Sequence, residues 1–123
     1  MNRAGGDALA LSLYCGLIFW LSNQPTLPMP MFFPHQDKLH HLTAYAVMGW
    51  LAWQAFRHRC NGRILWIVSL LFCSLYGASD EFHQSFIEGR NADWLDWVAD
   101  TLGSLLAVTI LFLRHREERT PVI

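Results

Sequence analysis

Four apolar runs fill most of this chain, at residues 8–22, 39–56, 64–79 and 94–113. Each is about 15–20 residues long, close to the shortest helix that crosses a hydrocarbon layer about 30 Å thick. Inside lipid a backbone has to satisfy its own hydrogen bonds, so only helices or a closed barrel are open to such a chain. The runs lack the strict alternation of barrel strands. The expectation is therefore an all-α fold, a four-helix transmembrane bundle forming one domain over residues 1–123. The composition agrees: only 15% of residues are charged and 53% are hydrophobic, where a soluble domain carries roughly 25% charged. The first run follows Arg3 as a secretory signal would. No small-x-small cleavage site follows it, so it is read as a retained helix.

The charges are sorted by end. Arg57, Arg59 and Arg63 lie between the second and third runs, Arg114, Arg116 and Arg119 follow the fourth, and Arg3 precedes the first. Only Lys38 and Arg90 fall at the other ends of the helices. The positive-inside rule then places both termini in the cytoplasm and loops 23–38 and 80–93 outside. Asp37, Asp80, Glu81, Glu88, Asp93, Asp96 and Asp100 gather at those outer ends, seven of the ten acidic residues. A net charge of −1 gives no bulk field for nucleic acid. Cys15, Cys60 and Cys73 have no metal-finger or CxxC spacing and are read as unpaired packing residues.

Spacing arranges the polar residues into stripes. Asp37, His41, Tyr45 and Gly49 repeat every four residues at the start of the second helix, which puts them on one face. Asp80 lies three and four residues before His83 and Gln84 at the end of the third. Asp93, Asp96 and Asp100 follow at i, i+3 and i+7 on the fourth. A carboxylate at membrane depth costs several kcal/mol unless it is paired, so Asp100 requires a cation, a donor or a metal. Capping accounts for Asp93 and Asp37 equally well, because acids favour helix N-termini. Gly103, with Ala107 four residues on, marks a close helix contact. The six tryptophans, Trp53 among them, are expected at the membrane interfaces or facing lipid.

These pieces, in this order, resemble the VanZ-like family of small bacterial membrane proteins. The resemblance rests on "SNQP" after the first run, "DKLHHLTAYAVMG" opening the second, "SDEFHQSFIEGR" closing the third and "DWLDWVADTLG" in the fourth. It implies a multi-pass protein of the bacterial inner membrane and puts weight on Asp37, Lys38, His41, Tyr45, Gly49, Asp80, Glu81, Gln84, Arg90, Asp96 and Gly103. The family's namesake is associated with reduced sensitivity to the glycopeptide antibiotic teicoplanin. Two positions depart from the pattern. Glu88 stands where proline is common, and Asp100 stands where the family often has asparagine.

The residues support two functional expectations above others. The first is an enzyme acting on a lipid or lipid-linked envelope intermediate at the outer leaflet. Asp80, Glu81, His41 and Asp96 would be the acid, base or ligand groups. Asp80, Glu81 and Asp96 would hold Mg²⁺ or another divalent cation, since hard cations take oxygen ligands. Lys38, Arg90, Gln84, Tyr45, Asp37 and Asp100 would bind the substrate, with the two cations neutralising phosphate. The second is a non-enzymatic protein that binds a lipid or a cationic ligand and alters envelope or antibiotic sensitivity. A proton-coupled carrier ranks third, because the cytoplasmic half of the second helix offers only Gln54 as a polar step and no paired discontinuous helices are visible.

Overall fold

The structure, a computed structural model, describes residues 1–26 and 29–120. It contains four helices: α1 (Arg3–Ser22), α2 (Gln36–Phe56), α3 (Gly62–Gln84) and α4 (Trp94–Arg119). No strand occurs among the described residues. The chain runs up, down, up and down, so α2 and α4 lie parallel and both begin at the same end of the bundle. α2 packs against all three other helices, whereas α1 meets only α2 and α3 among the described residues.

The helices are longer than the apolar runs that announce them. α1 starts at Arg3, because the Asn2 side chain accepts the Gly5 N–H at 2.8 Å and caps the first turn. α3 continues past residue 79 to Gln84, carrying Asp80, Glu81 and Gln84 on helix rather than loop. α4 runs on to Arg119, with Arg116 and Arg119 in its last turn, where cations meet the negative end of the dipole.

The bundle is apolar outside, and part of its interior is polar. On α4, Leu102, Leu106, Ile110 and Leu113 are about half exposed along one stripe, while Asp96, Asp100, Gly103 and Ser104 are buried on the other. A water-soluble helix shows the reverse. Three helices, α1, α3 and α4, are long and apolar enough to cross a membrane. α2 falls short of that standard. Its histidines, Tyr45 and Gln54 dilute it, and it can carry them because its neighbours shield it on three sides.

Two glycines set the helix spacing. A Cβ at Gly103 would overlap the Leu42 carbonyl of α2, so α2 and α4 touch backbone to backbone there. A Cβ at Gly77 would lie 3.0 Å from Asp100 Oδ2, so the missing side chain on α3 is the space that Asp100 occupies. Leu11, Ile18, Tyr45, Met48, Ala52 and Cys73 form one apolar cluster, and Trp53, Leu65 and Val108 another. Trp53 is thus a core residue at 1% exposure, not an interfacial one. Its ring meets His115 edge-on at 5.6 Å. All three cysteines are free.

Candidate functional site

The parallel starts of α2 and α4 bring two stripes together as a ladder. Lys38 Nζ lies 2.6 Å from Asp37 Oδ2, 2.8 Å from Asp93 Oδ2 and 2.7 Å from Asp96 Oδ1. One turn deeper, His41 Nε2 is 3.6 Å from Asp96 Oδ2, and His41 Nδ1 is 2.8 Å from Asp100 Oδ1. Residues three apart on α2 therefore bridge residues three and four apart on α4, as i, i+3 and i+4 neighbours share a face. Both helix N-termini point their positive ends at this cluster. Asp93 is also the N-cap of α4, accepting the Leu95 N–H at 3.0 Å. The Lys38 ammonium and that N–H hold its carboxyl below the usual value.

α3 supplies the third wall. Glu81 Oε2 accepts the Asp93 N–H at 3.0 Å, which ties the end of α3 to the start of α4. Glu81 Oε1 and Asp100 Oδ2 are buried and have no hydrogen-bond partner. His41, Glu81 and Asp100 each offer one ligand atom, and these atoms all lie within 4.8 Å of one another. Asp80 points elsewhere. It accepts a short hydrogen bond from Ser22 Oγ of α1 and lies 3.5 Å from the Tyr45 hydroxyl of α2. Consecutive helical residues point about 100° apart, so Asp80 and Glu81 serve different neighbours. The expected trio of Asp80, Glu81 and Asp96 is accordingly split, and His41 with Asp100 takes the place of Asp80 and Asp96 around Glu81.

Arg90 takes a role of its own. Its Nη1 donates to the carbonyls of Leu21 at 3.3 Å and Gln24 at 3.1 Å, closing the C-terminal end of α1 rather than pairing with an acid. Gln84 is buried beside it at 2% exposure. Two adjoining cavities open above these groups. One, of about 480 Å³, is lined by Asp37, His41, Gln84, Arg90 and Asp96 under Met29 and Met31. The other, of about 160 Å³, reaches Ser22, Tyr45 and Asp80, and His41 and Arg90 border both. The segment over the larger cavity is fastened by Gln36, whose Oε1 accepts the Phe32 N–H at 2.7 Å and whose Nε2 donates to the Pro30 carbonyl at 3.0 Å.

Ser22 and Gln36 are the site residues that sequence reasoning passed over. Ser22 opens the quoted "SNQP" motif, but it also closes an apolar run, where its hydroxyl reads as a helix end. The sequence offers Asp93 either as a cap or as a member of the α4 polar stripe. It is both a cap and a lysine partner.

The four described helices, three of them long and apolar enough to cross a membrane, with an apolar exterior and carboxylates gathered at one end, fit a membrane protein. The VanZ/LLP1 family pattern matches residues 21–115, and the chain belongs to that family. It is 30% identical over 112 residues to the uncharacterized protein C11E3.10 of Schizosaccharomyces pombe, a match covering 88% of this chain and 60% of the yeast protein. The chain thus spans about three-fifths of that relative's length. No solved structure matches the chain.

Proposed function

We propose that the protein acts on the phosphate-bearing headgroup of a membrane lipid or lipid-linked envelope intermediate, with a divalent cation held by His41, Glu81 and Asp100. The observation that carries this reading is the pair of orphaned, buried oxygens, Glu81 Oε1 and Asp100 Oδ2, flanking His41. Buried acceptors without a partner are costly, and a cation between them removes the cost. The charge balance points the same way. Asp37, Asp93 and Asp96 share a single lysine, Asp100 meets His41, Glu81 accepts a backbone N–H, and Arg90 donates to carbonyls. A phosphate would be repelled by that surface unless an ion inverts the local charge. An imidazole beside two carboxylates suits Mn²⁺ or Zn²⁺ as well as Mg²⁺.

In the hydrolytic form of this reading, the oxygen of a water attacks phosphorus and the P–O bond to the departing group breaks. Asp80, held by Ser22 and Tyr45 at the smaller cavity, takes the water's proton and later returns it to solvent, and the departing oxygen takes a proton from bulk water as it leaves. Asp96, fixed by Lys38, keeps His41 oriented toward Asp100. Arg90 and Gln84 border the headgroup, and Asp37 and Tyr45 shape the two cavities. The arginine-rich opposite end supports an orientation with both termini inside a bacterial cell and this site at the outer leaflet.

The test is native mass spectrometry of the purified protein with its co-purified lipids, wild type beside Glu81→Gln, with Mn²⁺ or with EDTA. Conversion of the bound lipid by wild type only in the presence of metal, with intact lipid retained by Glu81→Gln, is the expected result. A second reading, binding without turnover, is favoured by the same negative pocket, which would grip a cationic ligand or headgroup. Lipid held equally by both proteins and never altered would establish it, and glycopeptide sensitivity of cells would then be the physiological readout.

A further inference from the structure

At the end of the bundle away from the carboxylates lies a further cavity, of about 350 Å³, that the site above does not use. Its wall carries Arg3, Arg57, Arg116 and Arg119, with His115 and Trp53. Among the described residues Arg3, Arg116 and Arg119 have no carboxylate partner, and Arg57 has only Asp7 at 3.9 Å. That carboxylate is itself engaged more closely by His58, at 2.7 Å. Arg116 is held over the Phe112 ring, 5.8 Å from its centre, which limits how far it can swing away.

A bias of arginine toward one end of a membrane protein is expected from topology alone. Topology does not require a hollow, and it does not require a buried donor in the hollow's wall. Trp53 supplies one. It is 1% exposed, it lines the cavity, and its indole N–H has no acceptor. Buried indole N–H groups are ordinarily satisfied, because leaving one unmet is costly. Four guanidinium groups and an unmet N–H donor around one cavity form a donor-rich set whose one carboxylate contact among the described residues is the long Arg57–Asp7 pair, and planar guanidinium forks fit phosphate oxygens in pairs.

We propose that this cavity binds a phosphate-bearing anion, either the headgroup of an anionic lipid in the adjoining leaflet or a soluble phosphate compound. The oxygens would accept from Arg57, Arg116 and the Trp53 N–H. The site stands apart from the carboxylate pocket and does not depend on its chemistry.

The experiment places wild type and two double variants in bilayers of phosphatidylcholine doped with phosphatidylglycerol, and counts retained phosphatidylglycerol by native mass spectrometry. Arg57→Gln with Arg116→Gln removes two cavity charges. Arg59→Gln with Arg63→Gln removes two exposed charges near the same end that lie outside the cavity wall. The cavity pair is expected to lose retention about tenfold, and the surface pair to change it little. Trp53→Phe, which keeps an aromatic ring and removes only the donor, is expected to weaken retention several-fold even if the arginine pair disturbs folding. Calorimetric titration with pyrophosphate separates the sources. Heat of binding to wild type but not to the cavity variants, with lipid retention unaffected, assigns a soluble anion. Equal losses in both double variants, or no loss in either assay, overturns the proposal and leaves the arginines as a topology signal.

Discussion

The two ends of the bundle hold charge by different means. At one end Lys38 and His41 are threaded among carboxylates within the contact between α2 and α4, and Asp96 and Asp100 are buried. At the other the arginines ring a cavity, and among the described residues the one acid paired with them is Asp7. The first arrangement is packed, so each charge depends on its neighbour and on the helix spacing. The second is strung along helix ends, where each arginine keeps water within reach. Charge inside a helix contact is part of the fold, whereas charge at a rim is available to a ligand.

The sharpest way to break this contrast is to move the helices. Gly103→Val would thrust side-chain atoms into the Leu42 carbonyl, and an overpacked contact of this kind costs about 3 kcal/mol. Detergent-resistant unfolding should show that loss, and the Lys38 and His41 pairs should loosen with it. Full stability in this variant would mean that α2 and α4 do not meet as described. Next in size, Lys38→Met strands the buried Asp96 carboxylate beside Asp93 and Asp37, at a cost of about 2 kcal/mol. Arg57→Met at the opposite end should stay within about 0.5 kcal/mol of wild type. Equal effects from these two substitutions, read from thermal melts, would erase the distinction between the ends.

The smallest effect is a titration. The folded protein depresses the pKa of Asp93 through Lys38 and the Leu95 N–H. Its contribution is therefore complete above the ordinary carboxylate value of 3.8 and is lost as the pH falls from there through the lowered folded value. Melting temperatures of wild type and Asp93→Asn should differ at neutral pH and converge as the solution is acidified below that point. A gap that stays constant down the acid range would show that neither Lys38 nor the Leu95 N–H favours the charged form of Asp93 in the folded protein.

The sequence carried the helices plainly, because four apolar runs bounded by charge leave few alternatives. It also carried the stripes: Asp93, Asp96 and Asp100 do share a face of α4, and His41 and Tyr45 do turn inward from α2. What it lacked was the rotation of one helix against another. Nothing local says that Asp80 turns toward Ser22 while Glu81, its neighbour, turns toward α4. Nor could spacing reveal that Arg90 reaches back across the chain to close α1. An isolated arginine among acids reads as a partner for them, and only the placement of loop 85–93 beside the end of α1 shows otherwise. Trp53 went astray for the same reason. Its neighbours Leu65 and Val108 come from other helices.

The central position of α2 has a consequence for how the protein is made. A segment with Lys38, two histidines and Gln54 gains too little from lipid to partition into the membrane unaided. α1 and α3, on either side of it in the chain, are apolar enough to enter without help. If the chain inserts into a membrane, insertion would be cooperative, with α2 carried in between its flanking segments and shielded by them. The carboxylates of α4 that meet Lys38 and His41 would be synthesised last, so those two residues would wait unmatched until α4 followed.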